Sequence, residues 1–321
     1  MQPDSGERPE PLSPQALLAS ALRFLLEPAR PEPLALFRIG IASFELVLSA
    51  VLWPYLLQLY GQLGFVQWPV GELIIFPWLP TTGRLAEALE PLGIAPAAWV
   101  YGLYGAYLAS LVGLLAGWKT RFMAAVAWLI HMTLMNGGFF STYGVDLIVH
   151  ICLFYCIWMP VGDCLSLDRR ARGTPATPSP MARLSIRTLQ IHLCIIYLTA
   201  GVSKTGGVEW WNGEAVWLSV MQPQFARMDF TWLASTPWVP MAAGWSVMLV
   251  ELGYAFFMWP RRTRGVWLGA TVALHLGIGL FLGLWFFAAV MILFNVCAFG
   301  YPWLVSWGTG AAFPPEHAIS L

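Results

Sequence analysis

The chain has 321 residues, 58% of them apolar and only 11% charged, and its 17 basic side chains balance its 17 acidic ones. This composition excludes an ordinary water-soluble domain, and a net charge of zero excludes a nucleic-acid binder held by a basic surface. Long apolar runs with tryptophans at their ends indicate an all-α, polytopic membrane protein in a lipid bilayer.

Residues 1–33 are a polar, proline-rich arm in which the stretch from Pro14 predicts a short interfacial helix. No cleavable leader pattern precedes the first span, which is therefore expected to be retained. A membrane domain is expected over 34–304. Its first span, near 34–57, carries Arg38 and Glu45 seven residues apart and so on nearly one face. Residues 60–95 form a long connector broken by Pro69, Pro77, Pro80 and Pro91, with a re-entrant stretch expected at 71–78. Further spans are expected near 96–117, 120–137 and 145–162, the last opening with Asp146 and His150. Residues 169–182 are basic and proline-rich and read as a flexible linker.

The fifth span, near 184–204, ends at Lys204, one of only two lysines in the chain. Residues 205–236 form a second long connector, in which Asn212 is placed to cap a helix running through Met221. Spans near 237–259, 265–281 and 284–304 complete a predicted bundle of about eight helices. The sixth contains Glu251 and the seventh His275, and residues 305–321 are a short tail.

Basic residues orient the bundle. With both termini in the cytoplasm, Arg8, Arg23, Arg30, Lys119, Arg121 and the arginines of 169–187 and 261–264 fall inside. Only Arg84 and Arg227 fall in the outer loops. This N-in, C-in arrangement puts both long connectors outside. It also places Asp146, His150, Tyr197, Lys204 and His275 near the outer ends of their helices, where they are expected to line one outward-facing cavity. Gln190 and Tyr197 lie two heptads and one heptad before Lys204, on nearly its side.

A lysine in such a cavity is a candidate base, because desolvation disfavours the ammonium while a nearby carboxylate restores it. His150 and His275 are suited to orient a substrate oxygen or to shuttle a proton, and Asp146 to pair with the lysine. Tyr197, Trp210, Trp211 and Gln190 are candidates for substrate contact, although the tryptophans better suit anchoring at the outer interface. Arg38, Glu45 and Glu251, placed in the inner half, are expected to form a structural ion pair or triad. The five cysteines read as packing residues, and no His/Cys grouping has metal-ligand spacing.

At these residues the chain resembles the vitamin K-dependent γ-carboxylase-like membrane proteins, known in bacteria as the horizontally transferred transmembrane (HTTM) family. The resemblance is carried by Tyr197-Leu-Thr-Ala-Gly-Val-Ser-Lys204 followed by Trp211-Asn-Gly-Glu-Ala. Leu165-Ser-Leu-Asp168 and His275 with Leu280-Phe-Leu-Gly-Leu-Trp-Phe add to it. It implies a reduced quinone as cofactor, Lys204 as the base acting on it, His275 in the active site, and a site on the extracytoplasmic side of a bacterial inner membrane. Quinol oxygenation or epoxidation would then be coupled to carbanion formation or carboxylation of an acceptor. Where the carboxylases have an Asn-His pair, this chain has Asp146, with His150 a turn later. The carboxylases continue into a large lumenal domain, whereas this sequence ends at Leu321, so a smaller acceptor, a partner supplying recognition or a different reaction of a bound quinol is expected. Two other functions fit the sequence: a non-catalytic membrane partner for maturation or export of a secreted peptide, and a small-molecule transporter.

Overall fold

The computed structural model describes residues 13–302 except Ala226. The expected tail at 305–321 and the first twelve residues of the arm lie outside the described residues. Helices α1 (Pro14–Leu26) and α2 (Glu32–Leu52) are followed by a connector holding α3 (Leu56–Tyr60), α4 (Trp68–Glu72) and α5 (Thr82–Leu89). Next come α6 (Pro96–Ala116), α7 (Thr120–Gly137), α8 (Gly144–Trp158), α9 (Leu167–Arg172) and α10 (Pro180–Thr205). The second connector holds α11 (Val208–Trp211) and α12 (Glu214–Met221). The chain closes with α13 (Trp238–Phe257), α14 (Arg261–Leu282) and α15 (Trp285–Asn295), the last passing into a π-helical turn, Val296–Gly300. Among the described residues there are no strands, only a single bridge between Ala29 and Ser179.

Five of these helical stretches are long and apolar enough to cross a membrane: Glu32–Tyr60, Pro96–Ala116, Pro180–Thr205, Trp238–Phe257 and Arg261–Leu282. The other expected spans are helical but do not reach that standard. Thr120–Gly137 carries more polar side chains, and Gly144–Trp158, at 15 residues, rises only ~22 Å.

The bridge between Ala29 and Ser179 sets the starts of α2 and α10 side by side. Both long connectors, which follow these two helices, therefore lie together at the opposite end of the bundle. The connector at 71–78 is a loop wound around Arg84, whose guanidinium donates to the carbonyls of Glu72, Ile75, Phe76 and Leu79. It leaves Phe76 and Trp78 exposed and stacked on each other. The basic linker starts as helix α9, capped by Ser166, and is pinned again at Ser179.

The expected ion triad does not form. Arg38 is fully buried and spends its guanidinium on backbone carbonyls: Leu114 (2.5 Å) and Leu115 (2.6 Å) at the end of α6, Val161 (3.2 Å) and Leu165 (2.6 Å). Leu114 also accepts from the Gly117 amide at the end of α6, whereas the other three carbonyls end a helix or lie in a loop, so a cation among them answers both hydrogen bonding and the helix dipole. Glu45 instead accepts from the Tyr107 hydroxyl at 2.7 Å.

Asp168 does the converse for α7. Its carboxylate accepts from the Lys119 and Thr120 amides and the Thr120 hydroxyl, all within 2.8 Å. Partial burial acts to raise this carboxyl, but those hydrogen bonds outweigh it and hold it below the ordinary carboxylate value. Arg38 and Asp168 thus clamp the turn between α6 and α7 from two sides, and this gives Leu165-Ser-Leu-Asp168 a structural reason.

Arg38→Met strands the Leu115, Val161 and Leu165 carbonyls and should cost about 3–5 kcal/mol, whereas Asp168→Ala removes one cap at about 1–2 kcal/mol. Unfolding midpoints in detergent should rank the two in that order. Because the folded-state value of Asp168 is depressed, its contribution is complete above the ordinary carboxylate range and is lost as pH falls through it. The gap between wild type and Asp168→Ala should therefore close in acid.

Candidate functional site

Helices α10 and α13 pack antiparallel at close range. A Cβ at Gly201 would stand 2.9 Å from the Leu252 amide nitrogen, so a larger residue would push the two helices apart. This register brings Lys204 and Glu251 together. Lys204 Nζ lies 2.8 Å from Glu251 Oε2 and donates to Oε1 at 3.0 Å. The two side chains are 20% and 10% exposed, so the pair is largely withdrawn from solvent yet still reachable.

The sequence placed Glu251 in the inner half with Arg38. That placement fails because α10 ends at Thr205, while α13 begins at Trp238, well beyond that level. The step is filled by α11 and α12, which pack against α13. Gly213, at φ 86°, makes the turn between these short helices. A side chain there would strike the Met241 backbone at 2.5 Å. Asn212 accepts from the Glu214 amide, one position before the cap itself.

Trp210 roofs the pair, with its ring 5.0 Å from Lys204 Nζ. Trp211 faces outward, with its indole N–H on the Thr205 carbonyl.

One to two turns below lies a polar chain built from four helices: Tyr197 (α10), Tyr254 (α13), His275 (α14) and Asn295 (α15). All four residues are buried. Tyr254 donates to Asn295 Oδ1 at 2.6 Å, and Asn295 Nδ2 donates to the Met291 carbonyl and to Tyr197 Oη, each at 2.9 Å. Tyr197 Oη lies 2.7 Å from His275 Nε2. With its oxygen already accepting, the Tyr197 hydroxyl points its proton at Nε2, and a neutral His275 then carries its own proton on Nδ1. That nitrogen is buried and has no partner. An unanswered buried donor costs about 1–3 kcal/mol, which a ligand oxygen meeting it would recover.

Asp146 and His150 do not join this group. Asp146 accepts from the Tyr143 amide at the start of α8, and His150 Nδ1 faces His131 Nδ1 at 3.4 Å while stacking on Trp128. They belong to a second polar cluster with Glu45 and Tyr107. Phe44, Phe286 and Phe287 separate the two clusters. Phe44 packs edge-on against Phe286, and Phe287 abuts His275 on one side and Gly144 on the other. The single cavity expected from helix depths is therefore two sites, because depth along a helix does not say which neighbour a side chain meets.

Gln190 also leaves the site, since its amide is held by Arg187 and by the Ala298 carbonyl. Asn295, Tyr254 and His131 were missed. Asn295 was findable, because an amide in the apolar run of α15 is costly unless partnered. Among the described residues no cluster of three His, Cys, Asp or Glu is placed to hold a metal.

Replacing Lys204 by Met should strand the Glu251 carboxylate and cost about 3–5 kcal/mol, whereas Lys204→Met with Glu251→Gln should recover much of that loss. A double-mutant cycle on unfolding midpoints in nanodiscs would read the coupling.

No curated protein and no solved structure matches the chain. The HTTM domain matches over residues 85–303, which spans α10, α13, α14 and α15 and therefore the whole Lys204–Glu251 and Tyr197–His275 arrangement. The chain belongs to the HTTM domain family.

Proposed function

We propose that this protein is a membrane enzyme of carboxylase-like chemistry that acts on a reduced quinone, with Lys204 as its base. The HTTM domain fits the carboxylase-like family. The observation that carries the reading is the Lys204–Glu251 pair set above the unanswered N–H of His275. A quinol presents two hydroxyls across an aromatic ring. The donors and acceptors here, together with the Trp210 ring over Lys204, suit that pattern. When bound, the quinol would supply reducing power for reaction with oxygen.

The protein's own groups would act as follows. Proton transfer from Lys204 to Glu251 leaves an amine and a neutral carboxyl, so the pair exchanges a proton without changing its net charge. The amine then accepts a phenolic proton. His275 donates from Nδ1 to the second oxygen, while Tyr197, held by Asn295, fixes its tautomer. Trp210 limits water over the lysine.

The reading carries the topology with it. About eight membrane segments and both connectors on the extracytoplasmic side of a bacterial inner membrane would let the site meet a secreted acceptor. The 206–221 loop exposes Val208, Trp211 and Leu218, which favours a second reading, a non-catalytic partner for a secreted peptide.

Purified protein in nanodiscs, supplied with reduced menaquinone or vitamin K, oxygen and CO₂, should form quinone epoxide. Lys204→Ala should lower the rate by about 10²-fold or more. No epoxide from folded wild type, or unchanged turnover in the variant, would exclude the base role. A peptide partner that still binds Lys204→Ala would then support the second reading.

A further inference from the structure

The second polar cluster lines a cavity of about 30 Å³, open on one side, between α2, α6, α7 and α8, beneath Tyr60 of the first connector. That is room for a single ion or a water or two. Its lining holds two carboxyl groups, Glu45 and Asp146, and neither lysine nor arginine.

Glu45 is 3% exposed. Its Oε2 accepts from Tyr107, while Oε1 is buried and without a partner. The neighbouring histidines cannot both be charged. A hydrogen bond between two Nδ1 atoms needs one donor and one acceptor, so at least one ring of His131 and His150 is neutral. The remaining polar atoms are oxygens: the Ser49 and Thr142 hydroxyls, the Tyr60 phenol and the Asp146 carboxylate. Ser49 is itself buried, and its carbonyl is held by the Tyr104 hydroxyl. A buried carboxylate with an unanswered oxygen, in a small cavity lined by oxygens, asks for a hard cation.

We infer that this cavity binds a sodium-sized monovalent cation through Glu45 and Ser49. The site shares no residue with the Lys204 group, so each reading stands or falls alone. Sodium fits better than potassium because the cavity is small. It also competes with a proton for the same carboxyl. The other titratable groups facing Glu45 are Tyr60 from α3, Tyr104 and Tyr107 from α6, His131 from α7 and Asp146 from α8, with His150 behind His131.

Thermal unfolding of the full chain in nanodiscs, with choline replaced by sodium at constant ionic strength, provides the test. At pH 8 the midpoint should rise by about 5 °C with saturating sodium, and less with potassium. About tenfold more sodium should be needed at pH 6. Glu45→Gln should abolish the response. Ser49→Ala, which removes one ligand oxygen, should shift the sodium requirement upward by about tenfold, and it decides the matter if Glu45→Gln does not fold. A midpoint that follows pH but not sodium would overturn the inference. So would stabilisation by magnesium or calcium alone, or an unchanged sodium response in Ser49→Ala.

Discussion

Charges inside an apolar bundle have no water to turn to, and the whole arrangement follows from how each is answered. Arg38 is met by four carbonyls, which ties the start of α2 to the end of α6 and to the loop after α8. Asp168 completes that clamp from the other side of the turn. Lys204 is met by Glu251, and that pair depends on α10 stopping short of α13 at the close contact made by Gly201. Arg38 is fixed by neutral dipoles. Lys204 is fixed by a group that can take its proton. This difference separates a structural cation from one suited to chemistry.

The same rule of pairing explains the Tyr254–Asn295–Tyr197–His275 chain. Each side chain in it is held by the next, and the sequence of bonds ends at the unpartnered Nδ1 of His275. A structural network would be expected to close on itself. One that ends in an unpaired donor, a few residues from a solvent-reachable ion pair, has the form of a site awaiting a polar ligand.

Much of this was legible in the sequence. Apolar runs and the scarcity of lysine pointed to Lys204, and heptad spacing put Tyr197 on its side. The depth of His275 along α14 matched that of Tyr197, and the two do meet. What spacing could not give was the neighbour. Asp146 and His150 share the depth of Lys204 but face α7 and α2 across Phe287. Glu251 looked remote because the ends of the two spans were read as level, whereas α13 starts well beyond the end of α10 and α11 and α12 fill the step. Arg38 looked like half of an ion pair because carbonyl partners leave no mark in a sequence.

The proposed quinol site lies between Lys204 and His275, under Trp210. Photo-crosslinking with an azido-quinone in nanodiscs, followed by peptide mapping, addresses it directly. The account predicts label on α10, α11 and α14 near Lys204, Trp210 and His275, displaced by unlabelled menaquinone. Displaceable label confined to α6, α7 and α8, or label that excess quinone does not displace, would contradict it.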